Sequence, residues 1–326
     1  LKTKKNTISD LVLAPWTTSV LFAAIRLKIF SLLSNKKMTI DELASKCQAI
    51  PGFLKALMDA CVSMGLVEYK NDTYMNSHFS QVYFVEGEPF YAGDFINIVY
   101  TESLQWYKLI DIIKGKKDVS EEKPSEIFNY SRYQFIKAMN NIGMLGEAEA
   151  LKHTVDLSGC KEMIDAGGGS GLFSIALCQK FPGLKSTILD VNETLAVTKE
   201  LIAGCKEKER ITLRETDIIK NSFGQHIDAV LLSDVIYTES TAIPVLKNAR
   251  NCLRQNGLLI IRGYYSDPGK SGSLLGALFF LKQLVDDPDQ KIMTISSLKK
   301  NVSDSGFTIT RVSPLTERSI VLIARK

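Results

Sequence analysis

The sequence predicts an α/β fold, with a doubly wound parallel sheet in the carboxyl-terminal half and a smaller, mostly helical domain before it. Three observations point there. From Cys160 onward, short strand-like runs alternate with helical segments, as in a sheet covered by helices on both faces. Behind the first of those strands, MIDAGGGSGLFS (residues 163–174) places four glycines in five positions. Such a turn belongs at the carboxyl edge of a doubly wound sheet, where ligands bind. Up to about residue 112 the patterning is helical instead. The expected division is therefore 1–112, a linker with a connecting helix over 113–155, and a sheet domain over 156–326.

The 326 residues are 45% hydrophobic and 23% charged, ordinary values for a globular chain. Forty basic residues stand against 36 acidic ones, interspersed rather than blocked, which makes no electrostatic case for a nucleic-acid partner. The six cysteines include no C-x-x-C pair and the three histidines are isolated. Reduced thiols in a cytoplasmic protein, and no metal site, are expected.

Lys2, Lys4 and Lys5 precede the apolar run LVLAPWTTSVLFAAI. At 15 residues, interrupted by Pro15, Thr17 and Thr18, it is too short to span a bilayer. Trp16, Val20 and Ala24 recur at helical spacing, so an amphipathic helix of a core or a subunit interface is expected. FAAIRLKIFSLLS continues the helical pattern, and Thr39 with Glu42 forms a capping box at the start of the next helix. Pro51 occupies a first helical position ahead of a segment that Gly65 stops. LVEYKNDTYMNS then reads as two strands turning at Asn71-Asp72. Three helices and a hairpin make a winged-helix arrangement. DNA binding is one use of such a unit, but Pro51 to Met64 offers little beyond Lys55, offset by Asp59. Dimerisation is the other use.

Residues 113–126, IKGKKDVSEEKPSE, are polar and read as an exposed linker. A long helix follows in IFNYSRYQFIKAMNNIGMLGEAEAL, with Phe135, Met139 and Ile142 on one stripe. The sheet domain then runs through the strands EMIDAG, KSTILDV, ITLRETD, DAVLLSDVIY and GLLIIRGYY, with helices between them. It closes on a helix and a strand pair, FTITRVS and SIVLIAR.

The glycines do not form the dinucleotide pattern G-x-G-x-x-G, because position 172 is Leu, and no lysine follows as a P-loop requires. Asp165 stands just before them, and Asp190 ends the second strand 23 residues after Gly167. A carboxylate there can accept both hydroxyls of a ribose, which favours a nucleoside cofactor. Dehydrogenases share that acid.

D-x-G-G-G-x-G, the acid closing strand two and ETDI closing strand three together resemble the class I S-adenosylmethionine-dependent methyltransferases. The winged helix, connecting helix and Rossmann-like sheet, in that order, resemble the plant-type small-molecule O-methyltransferases over essentially the whole chain. The resemblance implies S-adenosylmethionine as cofactor and S-adenosylhomocysteine as product. It implies a homodimer through the amino-terminal domain, and a small, aromatic or polycyclic acceptor. Gly167, Gly168, Gly169 and Gly171 would pack against the methionine portion, with Asp165 just before them. Asp190 would hold the ribose, Asp217 would meet the adenine amino group, and Val191 and Ile218 would flank the base. Ser233 and Asp234 would follow strand four.

The family usually carries a catalytic histidine after strand four. Here SDVIYTES puts Tyr237 in that place, so Tyr237 and Asp234 are the candidate catalytic residues, with Glu239 nearby. A neutral imidazole takes a phenol proton near pH 7, whereas a tyrosine mostly cannot. The STIL, DAVL and VIY segments are similar to those of bacteriochlorophyllide C-20 methyltransferase, and carbon methylation needs no prior deprotonation of a hydroxyl. Oxygen and carbon acceptors both stay open, as does a relative that binds the cofactor without transferring a methyl group. For the acceptor, Tyr100, Trp106, Tyr107, Tyr130, Tyr133, Met139, Asn140 and Met144 are candidate contacts, with LLGALFFLKQL covering the other side. Arg262, ending strand five, would pair either with an acidic substrate or within the protein.

Overall fold

The computed structural model describes residues 7–115, 131–267, 274–287 and 289–326. They divide into two compact units, 1–104 and 105–326. The boundary falls within a helix, eight residues before the one expected at 112.

In the first unit, α1 (Ile8–Arg26) starts at a capping box in which Thr7 and Asp10 bond each other's backbone. It is 19 residues long, enough in length and composition to cross a membrane. The expected amphipathic pattern is absent. Ile8, Leu11, Val12, Leu13 and Trp16 are all exposed, whereas Phe22, Ala24 and Ile25 are buried. Burial therefore divides along the helix rather than across it. Lys28 adopts a left-handed conformation (φ 56°), which separates α1 from the short α2 (Ile29–Leu32).

α3 (Ile40–Cys47) begins at the Thr39–Glu42 capping box, and α4 (Pro51–Ser63) carries Pro51 in its first turn. The antiparallel hairpin β1 (Val67–Lys70) and β2 (Thr73–Asn76) turns through Asn71 and Asp72, both at positive φ. That is the two-residue turn whose twist matches paired strands. Ile29, Phe30, Leu43, Leu54, Met58 and Tyr74 form the core of this winged-helix unit. α5 (His78–Tyr83) and α6 (Gly93–Trp106) follow.

In the second unit, α7 (Leu109–Ile113) is followed by α8 (Arg132–Ile142), capped by Ser131 and Gln134. The sequence reads as one long helix onward from here, but the chain breaks. Leu145 and Gly146 leave helical geometry, Gly146 with φ 104°, in a wide turn over Gly143–Glu147 before α9 (Ala148–Thr154). The cause is glycine, which reaches positive φ at little cost.

The sheet has the order β5-β4-β3-β6-β7-β9-β8. Its strands are β3 (Glu162–Ala166), β4 (Lys185–Asp190), β5 (Ile211–Glu215), β6 (Ile227–Ser233), β7 (Leu253–Gly263), β8 (Thr308–Pro314) and β9 (Ile320–Arg325). β3 to β7 pair in parallel, and β9 is antiparallel to both β7 and β8. Four of the helices of this unit are α10 (Leu172–Lys180), α11 (Asn192–Ile202), α12 (Glu239–Cys252) and α14 (Ile295–Asp304), with α13 (Leu274–Asp286) between the last two. Ile164, Val230, Leu232 and Leu259 belong to one core cluster, and Met163, Ile188, Leu231 and Ile260 to another. The alternation along each strand puts the two clusters on opposite faces. Each fully buried Leu or Val contributes about 1.5–3 kcal/mol. Strand order reverses between β3 and β6, and in sheets of this kind the crevice at that switch point, at the carboxyl ends, is where ligands bind.

Candidate functional site

The glycine loop leaves β3 at this crevice. Gly167, Gly169 and Gly171 all have positive φ (71°, 54° and 77°). Gly168 is required for space. A Cβ there would sit 2.8 Å from the Asp165 Cγ and 2.9 Å from the Ile188 Cγ2. At Gly169 the same atom meets only Ile136 Cδ1 at 4.0 Å, so the middle of the loop has an open side. Gly143 lies against Leu172, the first residue of α10, and with Ile136 this lays α8 over the loop.

Asp165 is buried beneath the loop. Its Oδ2 accepts a 2.6 Å hydrogen bond from Ser174 Oγ, which lies 2.8 Å from Ser186 Oγ. Its Oδ1 is buried with no partner. Burial raises its pKa to about 6, with the Ser174 hydrogen bond opposing and the Asp190 charge assisting.

Asp190, at the end of β4, accepts from Gly169 N–H at 3.0 Å and from its neighbour Val191 N–H at 2.8 Å, one on each oxygen. Each oxygen keeps a lone pair, so the fixed carboxylate presents two acceptors side by side. A pair of vicinal hydroxyls suits that arrangement. Ile218 reaches the loop, its Cδ1 3.5 Å from where a Gly167 Cβ would stand, and Val191, next to Asp190 in sequence, is exposed.

Asp217 is engaged locally. It accepts from Ile219 N–H at 3.0 Å and Lys220 N–H at 3.3 Å, and pairs with Lys220 Nζ at 3.2 Å. The Lys220 bond, then these backbone bonds, hold its pKa below the usual value. Ser233 ends β6 with a buried Oγ that has no partner.

A charged cluster lies at the carboxyl ends of β6 and β7. Ser233 and Arg262 are register partners across β6 and β7, and Arg262 is 1% exposed. Of its two expected partners, the internal one is found, which corrects its assignment as a substrate contact. Glu147, wholly buried, accepts from Arg262 Nε at 3.1 Å and from a second guanidinium nitrogen at 2.6 Å. Asp234 pairs with the remaining guanidinium nitrogen. Thr316 and Ser319 also donate to Glu147. Burial alone would raise the Glu147 pKa, but Arg262 and these hydroxyls hold it below the ordinary carboxylate value.

Asp234 stands at φ 58°, and its backbone N–H bonds the Arg262 carbonyl at 2.9 Å. Tyr237 donates its hydroxyl to Asp234 Oδ1 and accepts from Tyr264 N–H at 3.3 Å. Its ring packs at a tilt against Tyr265 and Phe279 of α13, with centroids 5.2 and 4.9 Å apart. Burial pushes its phenol well above the usual tyrosine value. Tyr264 lies over the Arg262 guanidinium and has a buried, unpartnered hydroxyl.

Met139, Asn140 and Met144 are half-buried on α8 and its turn, with Asn140 Nδ2 3.4 Å from Met144 Sδ. Tyr133 is 45% exposed at the start of α8. Tyr100 belongs to the first unit, where its ring meets Phe22 edge-on and Arg26 lies over it. Tyr107 is exposed and Trp106 half-buried. Tyr130 lies outside the described residues.

Glu147, Ser174 and Thr198, whose hydroxyl caps the Gly169 carbonyl, were missed from the sequence. Only Arg262, a charge inside LLIIRGYY, signalled a buried partner. Among the described residues no cluster of His, Cys, Asp and Glu suits a metal ion.

The chain as a whole is similar to known proteins. A family model for an O-methyltransferase domain covers residues 122–308, and one for an O-methyltransferase dimerisation domain covers 9–86. The chain is 28% identical to a 3-hydroxy-5-methyl-1-naphthoate 3-O-methyltransferase of Streptomyces sahachiroi, over 85% of this chain and 82% of that protein. It is 24% identical to the bacteriochlorophyllide d C-20 methyltransferase of Chlorobaculum tepidum, over 74% and 73%. Human N-acetylserotonin methyltransferase, solved in complex with S-adenosylmethionine, superposes with a TM-score of 0.85 at 22% identity, over 100% of this chain and 99% of that one.

Proposed function

The chain belongs to the O-methyltransferase family, and on that footing we propose that it methylates a small aromatic or polycyclic acceptor with S-adenosylmethionine. The observation that carries this reading is the crevice itself. Gly169, open on one side, and the two outward lone pairs of Asp190 face the space at the strand switch point. The residues fit the cofactor. Asp190 suits the ribose hydroxyls, Ile218 and Val191 suit the faces of a base, and the loop Gly167, Gly168, Gly169 and Gly171 suits a close-lying methionine portion. The buried, unpartnered Ser233 hydroxyl supplies a further polar contact at the same edge.

When bound, S-adenosylmethionine supplies an electrophilic methyl group on a positively charged sulfur, which leaves as the neutral thioether of S-adenosylhomocysteine. The protein's main task is alignment, which supplies much of the acceleration. Met139, Asn140 and Met144 on one side and Tyr237, Phe279 and Tyr264 on the other make a largely apolar wall for a flat acceptor. Tyr237 holds its hydroxyl as a donor to Asp234, so the phenol is protonated and engaged rather than poised as a base. Acceptors whose reacting atom is nucleophilic without a protein base fit this wall best. An acidic phenol and an activated ring carbon both qualify.

The exposed apolar turns of α1 lie within the segment matched by the dimerisation model and favour a homodimer. The six unpaired thiols favour a reducing, cytoplasmic compartment. The test is to incubate the protein with S-adenosylmethionine and hydroxylated naphthoates, and to follow S-adenosylhomocysteine by mass spectrometry. Acceptor-dependent formation of S-adenosylhomocysteine and a methylated product supports the reading. Failure with every aromatic acceptor, alongside transfer to an aliphatic one, contradicts it.

A further inference from the structure

The buried salt-bridge cluster goes beyond the alignment just described. Arg262 is shared by two carboxylates that reach it from distant parts of the chain. Glu147 comes from the wide turn after α8, and Asp234 from the loop after β6. Burying charged groups is costly unless each is paired; Glu147 and Arg262 are buried and paired, while Asp234 is exposed at the outer end of the cluster. Arg318 Nε stands 3.4 Å from Glu147 Oε1, and the Arg318 Nη2 donates to the Leu145 carbonyl of the same turn. The Arg262 guanidinium is further enclosed by the rings of Phe173 and Tyr264, 5.5 and 4.5 Å from their centroids. A planar fork held at both ends by carboxylates has little freedom to move.

The cluster also has a direction. At one end α8 crosses the glycine loop, and its turn delivers Glu147. At the other, Asp234 receives the Tyr237 hydroxyl, while Tyr264 N–H fills a lone pair of the same oxygen. Neither Glu147 nor Arg262 is among the groups hydrogen-bonded to Tyr237, so any effect they have on it passes through Asp234 or through space.

We propose that Glu147 and Arg262 are positioning residues which, through Asp234, fix the Tyr237 phenol as a hydrogen-bond donor and so keep it from serving as a base. This rests on the methyltransferase reading only for what the tyrosine faces. The coupling itself is a property of the folded chain. Among the described residues, the charged and titratable groups that bear on Tyr237 include Asp234 on its own loop, Arg262, Tyr264 and Tyr265 on and after β7, and Glu147 from the turn. Phe279 of α13 is apolar. Burial opposes ionisation of the phenol most strongly, followed by the neighbouring Tyr265 and Tyr264, and the Glu147 charge adds to the same direction.

The experiment places 3-fluorotyrosine at position 237, whose phenol is more acidic than tyrosine's, and follows its fluorine resonance against pH. The full chain is used in the wild-type background and in Glu147→Gln, which keeps the side-chain shape while removing the charge. The midpoint is expected to fall in Glu147→Gln, because a negative charge that opposes ionisation of the phenol is removed. Arg254→Gln, which breaks the Arg254–Asp228 pair elsewhere, should leave it in place. If Glu147→Gln does not fold, Arg262→Lys decides. It keeps a charge but cannot fork between two carboxylates, and is expected to displace the 237 resonance. A midpoint or resonance at 237 that neither substitution moves would overturn the proposal, as would a phenol already ionised at neutral pH in the wild-type background. Calorimetry with S-adenosylhomocysteine on the same samples separates the two ideas. Absent binding in the wild type would undo the methyltransferase reading and leave the titration result standing.

Discussion

Gly168 and Asp165 show how little slack the loop has at the scale of single residues. Gly168→Ala pushes a methyl into Asp165 and Ile188, both buried, and should destabilise by about 1–3 kcal/mol, read as a lower denaturant midpoint at unchanged slope. Asp165 gives a pH signature. Its folded pKa of about 6 lies above the unfolded value near 3.9, so the ionised form is the less stable one. Its contribution is complete below about pH 4 and is lost as pH rises through about 6, a change on the order of 3 kcal/mol. Asp165→Asn should remove that slope. The stability difference, variant minus wild type, should grow in the variant's favour from pH 4 to 7, as measured by thermal unfolding. A difference that stays flat with pH would contradict it. Both roles were only partly legible. The spacing of the glycines and acids was visible in one short stretch, but the Ser174–Ser186 support under Asp165 depends on two strands meeting, which no local pattern announces.

At the scale of elements, the wide turn of Gly143–Glu147 carries the most consequence. The residues around it read as one continuous helix because Met139 and Ile142 keep helical spacing. Gly146 at φ 104° breaks that helix, and the break turns Glu147 inward. Gly146→Ala has room for its methyl but not the conformation. It should cost about 1–3 kcal/mol, and it should also weaken the Glu147–Arg262 pair. A melting temperature equal to wild type would show that the turn tolerates a side chain. The elements that were legible share a local cause. The Thr39–Glu42 box, Pro51 at a helix start, the Asn71-Asp72 turn and the alternating strands all follow from neighbours in sequence. What stayed hidden was long-range. Glu147 and Arg262 are separated by 115 positions, and only the burial of Arg262 inside an apolar strand pointed to a partner.

On the scale of the whole molecule, α1 and the crevice make separate predictions. The exposed Val12 and Trp16 of α1 should lie in a homodimer contact. Val12→Glu with Trp16→Glu is then expected to give a monomer by sedimentation velocity, where the wild type sediments as a dimer. A monomeric wild type would remove the dimer from the picture. The crevice decides the activity, and Asp190 is its most direct probe. We would titrate S-adenosylhomocysteine calorimetrically into wild type and Asp190→Ala. Removing a charged partner of two hydroxyls should weaken binding by about 1.5–3 kcal/mol or more, roughly tenfold to more than a hundredfold. Saturable binding to wild type that is lost or greatly weakened in the variant is the result we expect. No binding to folded wild type, or equal affinity in both proteins, would contradict the placement of the cofactor at the glycine loop.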